Sequence, residues 1–211
     1  MPHVVLVGDS ILDNGAYTLG GPDVVSQFRG LLPPGWDATL LAIDGATTDH
    51  VAGQLDLLPT DATHLVLSVG GNNALMHVGI LDAQVSSMTQ AVEALADIAS
   101  VFETRYRVAV AACLDIGRPL TVCAIYNGRF SDRRFQRIAS TMLTVFNDAI
   151  IRVAIEQSLD VIDLRSVCVN AEDYANPIEP SSVGGEKSAT AVVGLVCRGR
   201  ERVGATRITI A

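Results

Sequence analysis

The sequence predicts a three-layer α/β/α fold around a five-stranded parallel sheet. Short apolar runs rich in Val, Leu and Ile alternate with longer segments of helical period. Strands buried on both faces need such unbroken runs, and the alternation puts helices on both sides of one sheet. About half of the 211 residues are hydrophobic (49%), enough to bury one sizeable core. Residues 1–211 are therefore expected to form a single domain, with 198–211 a tail, basic at first and then strand-like, that has no assigned place.

In chain order, the apolar run at 3–7 opens the sheet and ends at Gly8, and a helical segment follows at 23–31. Leu40, Leu41 and Ile43 mark a second strand at 39–43, before a helix at 49–57. The third strand, 65–69, precedes a long helical period at 82–105. Strands at 120–125 and 161–164 flank a helix at 133–157, and a last helix is expected at 185–197. No internal repeat or low-complexity tract interrupts the series.

A net charge of -8, with only 15 Lys and Arg, argues against a nucleic-acid partner and against an anionic membrane surface. No apolar run approaches the roughly 20 residues that span a bilayer. The N-terminus runs from Met1-Pro2-His3 straight into Val4, leaving no room for a leader, so a soluble, cytoplasmic chain is expected. Cys113, Cys123, Cys168 and Cys197 stand singly among apolar neighbours, without metal-ligand spacing, and read as buried small hydrophobes. No metal or cofactor is implied.

Ligands of open parallel sheets sit beyond the carboxyl ends of the strands, so the informative residues should follow strands. Gly8-Asp9-Ser10 follows the first, Asp44-Gly45 the second and Gly70-Gly71-Asn72-Asn73 the third, while 173–180 lies between the fifth strand and the last helix. Each has a plain structural reading. Ser10 or Asp9 can cap a helix, Gly45 can simply turn the chain, and Asn72 can bond its own loop. Jointly they offer what acyl transfer needs, a nucleophilic oxygen beside several fixed hydrogen-bond donors.

In that order the residues resemble the SGNH/GDSL hydrolase family, whose four blocks centre on Ser, Gly, Asn and His. The stretch from Val7-Gly8-Asp9-Ser10 to Asn14 is similar to the first block, Ile43-Asp44-Gly45-Ala46 to the second and Ser68-Val69-Gly70-Gly71-Asn72-Asn73 to the third. The resemblance implies a flavodoxin-like sheet and Ser10 as nucleophile. It also implies an oxyanion hole from the Ser10 N–H, the Gly45 N–H and the Asn72 amide. Asp9 is expected to fix the turn, and Asn73 stands where the family has Asp, supporting the loop by hydrogen bonds.

The fourth block departs from the pattern. Where the family reads Asp-x-x-His this chain has Asn176-Pro177-Ile178-Glu179, and Pro180, Ser181, Gly184 and Gly185 still resemble the turn into the last helix. That points to a branch with Glu in place of His. Glu179 is then the candidate base, provided its site raises the pKa of about 4.3 toward the 6 to 7 that suits a general base. Burial and carboxylates such as Asp9, Asp13 or Asp173 would push that way. Asn176 is expected to orient it.

Alternatives stay open at this point. His50 or His77 can supply an imported base, whereas His3 and His64 begin strands at the opposite edge. Asp163 can orient a base or simply pair with Arg165. A pseudo-hydrolase that only binds an acylated ligand, and a mononucleotide binder, belong to other functional classes; the latter lacks a phosphate cradle and a following Lys. The expected partner is a small soluble acyl ester or thioester. Action on bulk fat is disfavoured because no amphipathic lid is evident.

Overall fold

A computed structural model describes residues 1–197 and 206–209. Its sheet has six strands, all parallel, in the order β2-β1-β3-β4-β5-β6: β1 (His3–Gly8), β2 (Asp37–Leu40), β3 (His64–Ser68), β4 (Leu120–Ala124), β5 (Asp160–Asp163) and β6 (Ile208–Thr209). The expectation of five strands is corrected by β6. This short piece of the tail pairs with β5 through Val161↔Ile208 and Ile162↔Thr209, and two residues are too few to leave a periodic signal. The rest of the tail lies outside the described residues.

Seven helices accompany the strands among the described residues: α1 (Val24–Leu31), α2 (Val51–Leu55), α3 (Gly71–Leu75), α4 (Met88–Asp115), α5 (Arg133–Glu156), α6 (Leu164–Val167) and α7 (Ser182–Val196). Side chains of β1 alternate between the two faces, as strand geometry requires. Val4 and Leu6 pack with Phe28 of α1 and with Ala189 and Val192 of α7, whereas Val5 and Val7 pack with Phe102 of α4 and Phe146 of α5. Each such fully buried side chain stabilises the fold by about 2 kcal/mol.

Capping sets where the helices begin. Asp23 accepts from Ser26 N, Ser87 from Gln90 N, Asp132 from Arg134 N and Phe135 N, and Ser181 from Val183 N and Gly184 N. Two of these caps shift the expected bounds. Ser87 starts α4 late, and its buried face of Tyr106, Ala109, Val110 and Cys113 carries it to Asp115 instead of 105. Ser181 starts α7 at Ser182 instead of 185. β2 ends at Leu40, where the regular ladder breaks: Leu41 N and Ala42 N both donate to Leu6 O and Ile43 N donates to Gly8 O, and Ile43 is exposed.

By length and composition α5 is apolar enough to cross a membrane, which corrects the sequence expectation. On it Met142, Phe146, Ile150 and Val153 are buried against the sheet and α4, while Ile138 and Ile155 are exposed. All four cysteines are free thiols. Burial pushes Cys113 and Cys123 up to about 12, so both stay protonated and pack as small apolar groups.

Candidate active site

Strand order reverses between β1 and β3, so the crevice beyond their carboxyl ends is where a ligand should lie. Two loops leave the sheet side by side there. Gly8, at φ 132, runs so close to β3 that a Cβ would meet Ser68 O at 1.8 Å, and Asp9 N donates to the same oxygen at 3.0 Å. The buried Gln54 side chain completes the Gly8 peptide, accepting from its N–H and donating to its C=O, both at 2.8 Å. Any side chain at Gly8 would drive this loop off the sheet.

Ser10 follows in the turn closed by Leu12 N and Asp13 N on Asp9 O. Ser10, Asp9, Asn72, Asn176 and Glu179 all line one cavity of about 560 Å³. The remaining wall is mostly apolar, from Leu75, Val78 and Leu81 on one side to Phe135, Met142 and Leu143 of α5 on the other.

Glu179 stands on a small hairpin. Ala175 N donates to Glu179 O, Ser181 N donates to Asp173 O, and Tyr174 bridges Pro180. Three contacts clamp it. The Tyr126 hydroxyl donates to Ile178 O, Arg129 N donates to Pro177 O at 2.7 Å, and the buried Asn14 amide donates to Pro180 O and Ser181 O while accepting from Val24 N. Gly184 lets α7 close behind, since a Cβ there would lie 2.1 Å from Asp173 O.

The Glu179 side chain is buried at 7% exposure, and its Oε2 has no hydrogen-bond partner among the described residues. Burial raises its pKa, the Ser10 hydroxyl lowers it by hydrogen bonding, and the Asp44 charge raises it. Of the carboxylates expected to push it, Asp173 is neutralised by Lys187 at 2.5 Å and Asp13 is engaged with Asp44 N. Asp9 behaves differently. Burial first and the Glu179 charge after it raise the pKa to about 7, against the lowering effect of the Ile11 N–H. Both carboxyls are thus raised above the ordinary carboxylate range by burial.

Asn176 accepts from Ile178 N and Glu179 N, each at 2.9 Å, so it shapes the hairpin tip through the backbone and does not touch the Glu179 carboxylate. Its expected orienting role is corrected to that extent. Asn72 donates to Ala46 O at 2.9 Å, tying the third loop to the second. Asn73 exchanges two bonds with Thr48, N–H to Oδ1 and Nδ2 to Oγ1. Gly45, at φ 79, is exposed on the second loop; it does not line the cavity, but it neighbours the carbonyl that Asn72 holds.

None of the four histidines lines the cavity. His50 Nδ1 accepts from Thr47 N, capping its own turn, and His77 precedes the short 3-10 turn Val78–Asp82. Asp163 takes the plain reading, bound to the Arg165 guanidinium at 2.6 Å. Asn14, Gln54 and Tyr126 were missed as positioning residues. Asn14 lies within the first block and Tyr126 opens the stretch 126–131 expected to wall the pocket, which it does line, whereas Gln54 carries no such signal.

The chain matches the model of the GDSL-like Lipase/Acylhydrolase family over residues 6–184. No curated protein matches its sequence. Its fold is similar to that of an extracellular lipase from Streptomyces rimosus, at 13% identity and TM-score 0.67, covering 95% of this chain and 100% of that one. An acetyl xylan esterase, AlAXEase, is similar at 16% identity and TM-score 0.69, covering 92% and 99%. A phospholipase A1 from Streptomyces albidoflavus NA297 is similar at 13% identity and TM-score 0.67, covering 91% and 97%.

Proposed function

The chain belongs to the GDSL-like lipase/acylhydrolase family, and we propose that it hydrolyses acyl esters or thioesters through Ser10, with Glu179 as the base. One observation carries this reading. Ser10 and a buried carboxylate, that of Glu179, line one largely apolar cavity, and the Ser10 hydroxyl draws the Glu179 pKa back from the rise that burial causes.

In this mechanism the Ser10 oxygen attacks the carbonyl carbon as its proton passes to Glu179. The carbonyl π pair moves onto oxygen, where the Ser10 N–H and Asn72, which both line the cavity, stabilise it. Asn72 has a second amide hydrogen for this purpose, the first being held by Ala46 O. Collapse expels the alcohol or thiol, which takes the proton from Glu179 and leaves Ser10 acylated. Water then repeats the cycle with Glu179 again accepting a proton. The raised pKa of Glu179 makes it a better base than an ordinary surface carboxylate.

Treating the protein with a fluorophosphonate and mapping the adduct by mass spectrometry tests the nucleophile. Labelling at Ser10, with turnover of an activated acetate ester lost in Ser10→Ala, is the expected result. The non-imidazole base also keeps a binding-only reading in view. An unlabelled Ser10 in a chain that still binds the acyl product would support that reading and contradict the hydrolase.

A further inference from the structure

The arginines of this acidic chain are unevenly used. Arg105, Arg107, Arg152, Arg165 and Arg207 pair with carboxylates, and Arg29 donates to the Ala38 carbonyl. Arg129, Arg133, Arg134 and Arg137 cluster within nine residues, and their side chains have no ion-pair or hydrogen-bond partner among the described residues. The Asp132 carboxylate nearby is occupied by the amides of Arg134 and Phe135.

The seam between α4 and α5 shows where this matters. Toward its carboxyl end it is closed by a network in which Arg107 bonds Glu103 and Glu156, and Arg152 bonds Glu103 and Asp148. Toward its amino end it opens into a groove of about 390 Å³ between Leu95 of α4 and Arg134, Arg137 and Thr141 of α5. Leu81 and Met142 line both this groove and the Ser10 cavity, so the two spaces share a wall. The Ser10 cavity and the groove thus adjoin at two apolar side chains, and beyond them stand two guanidiniums without a partner among the described residues, near the positive end of the α5 dipole.

We propose that this groove is a subsite for an anionic group, so that the ester or thioester cleaved at Ser10 carries a carboxylate or phosphate at the far end of an apolar chain. The proposal rests on the hydrolase reading for the reacting end and on the Arg134 and Arg137 groove for the remote end. A guanidinium is the group suited to planar, charge-assisted recognition of either anion. The acidic rim at Asp13 and Asp44 would repel the same charge beside Ser10, which fixes the orientation of the chain.

The test compares p-nitrophenyl hydrogen suberate with p-nitrophenyl octanoate, which differ by the terminal carboxylate. The wild-type protein is expected to prefer the suberate in kcat/KM. That preference should fall by roughly tenfold or more in Arg134→Gln/Arg137→Gln, and should weaken with added salt. Arg118→Gln, in the turn after α4, should leave it unchanged. No preference in the wild type, or one untouched in the double variant, overturns the subsite and leaves the hydrolase standing. If neither ester is cleaved, the hydrolase reading fails, and calorimetric titration with suberate and octanoate judges the subsite. Tighter suberate binding that the double variant loses supports it; equal binding overturns it.

Discussion

At the amino edge of the sheet His3 is held between Asp61 Oδ1 and Thr39 Oγ1, and His64 bonds Thr63 and packs on Trp36. At the carboxyl edge the Ser10 cavity is lined by the buried carboxyls Asp9 and Glu179 and by Tyr17 and Tyr126. His3 and His64 therefore stand where strands begin, and Asp9 and Glu179 lie beyond the ends of strands. Nothing at the first edge can reach the second, and in the proposed mechanism the base for Ser10 is a carboxylate whose pKa burial raises. The contrast shows how far burial alone can move a carboxyl toward the range in which His usually works.

Removing the charge at the carboxyl edge should have the largest effect. Glu179→Gln is expected to lower kcat for an activated acetate ester by about two to four orders of magnitude with the fold intact by circular dichroism. Retained turnover would return attention to an imported base. Next comes the clamp. Tyr126→Phe removes the donor to Ile178 O and should lower kcat by about threefold to tenfold, with little change in melting temperature.

Asp9 gives a smaller effect, on stability. Its pKa rises from 3.8 in the unfolded chain to about 7 when folded, so the folded state holds the proton more tightly. The stability this proton lends is complete below about pH 4 and lost as pH rises through about 7. Thermal unfolding of Asp9→Asn should show a gain of a few degrees over wild type at about pH 8 that shrinks toward about pH 5. Smallest of all, His50→Ala and His77→Ala should change kcat/KM by less than about twofold, since neither side chain lines the cavity. A large loss in either would erase the contrast between the edges.

Much of this was legible before any coordinates. The layer order follows from runs such as Val4 to Val7, whose alternate side chains meet the two helix layers. Ser10, Asn72 and Glu179 stand out through the resemblance of their loops to the family's blocks, and the three line one cavity. What stayed hidden depends on long-range contacts. Gln54 reaches Gly8 across 46 positions and Tyr126 reaches Ile178 across 52, distances at which no local pattern survives. The α5 wall of the cavity was equally illegible, because Phe135 and Met142 read as ordinary core positions of an amphipathic helix.

The pH dependence of Ser10 labelling by a fluorophosphonate, followed in wild type and in Glu179→Gln, tests the pairing of the two residues most directly. Wild-type labelling should fall on the acid side along a limb lying above the ordinary carboxylate range, while the variant should label far more slowly with that limb gone. Equal rates and an unchanged profile in the variant would show that Glu179 does not activate Ser10.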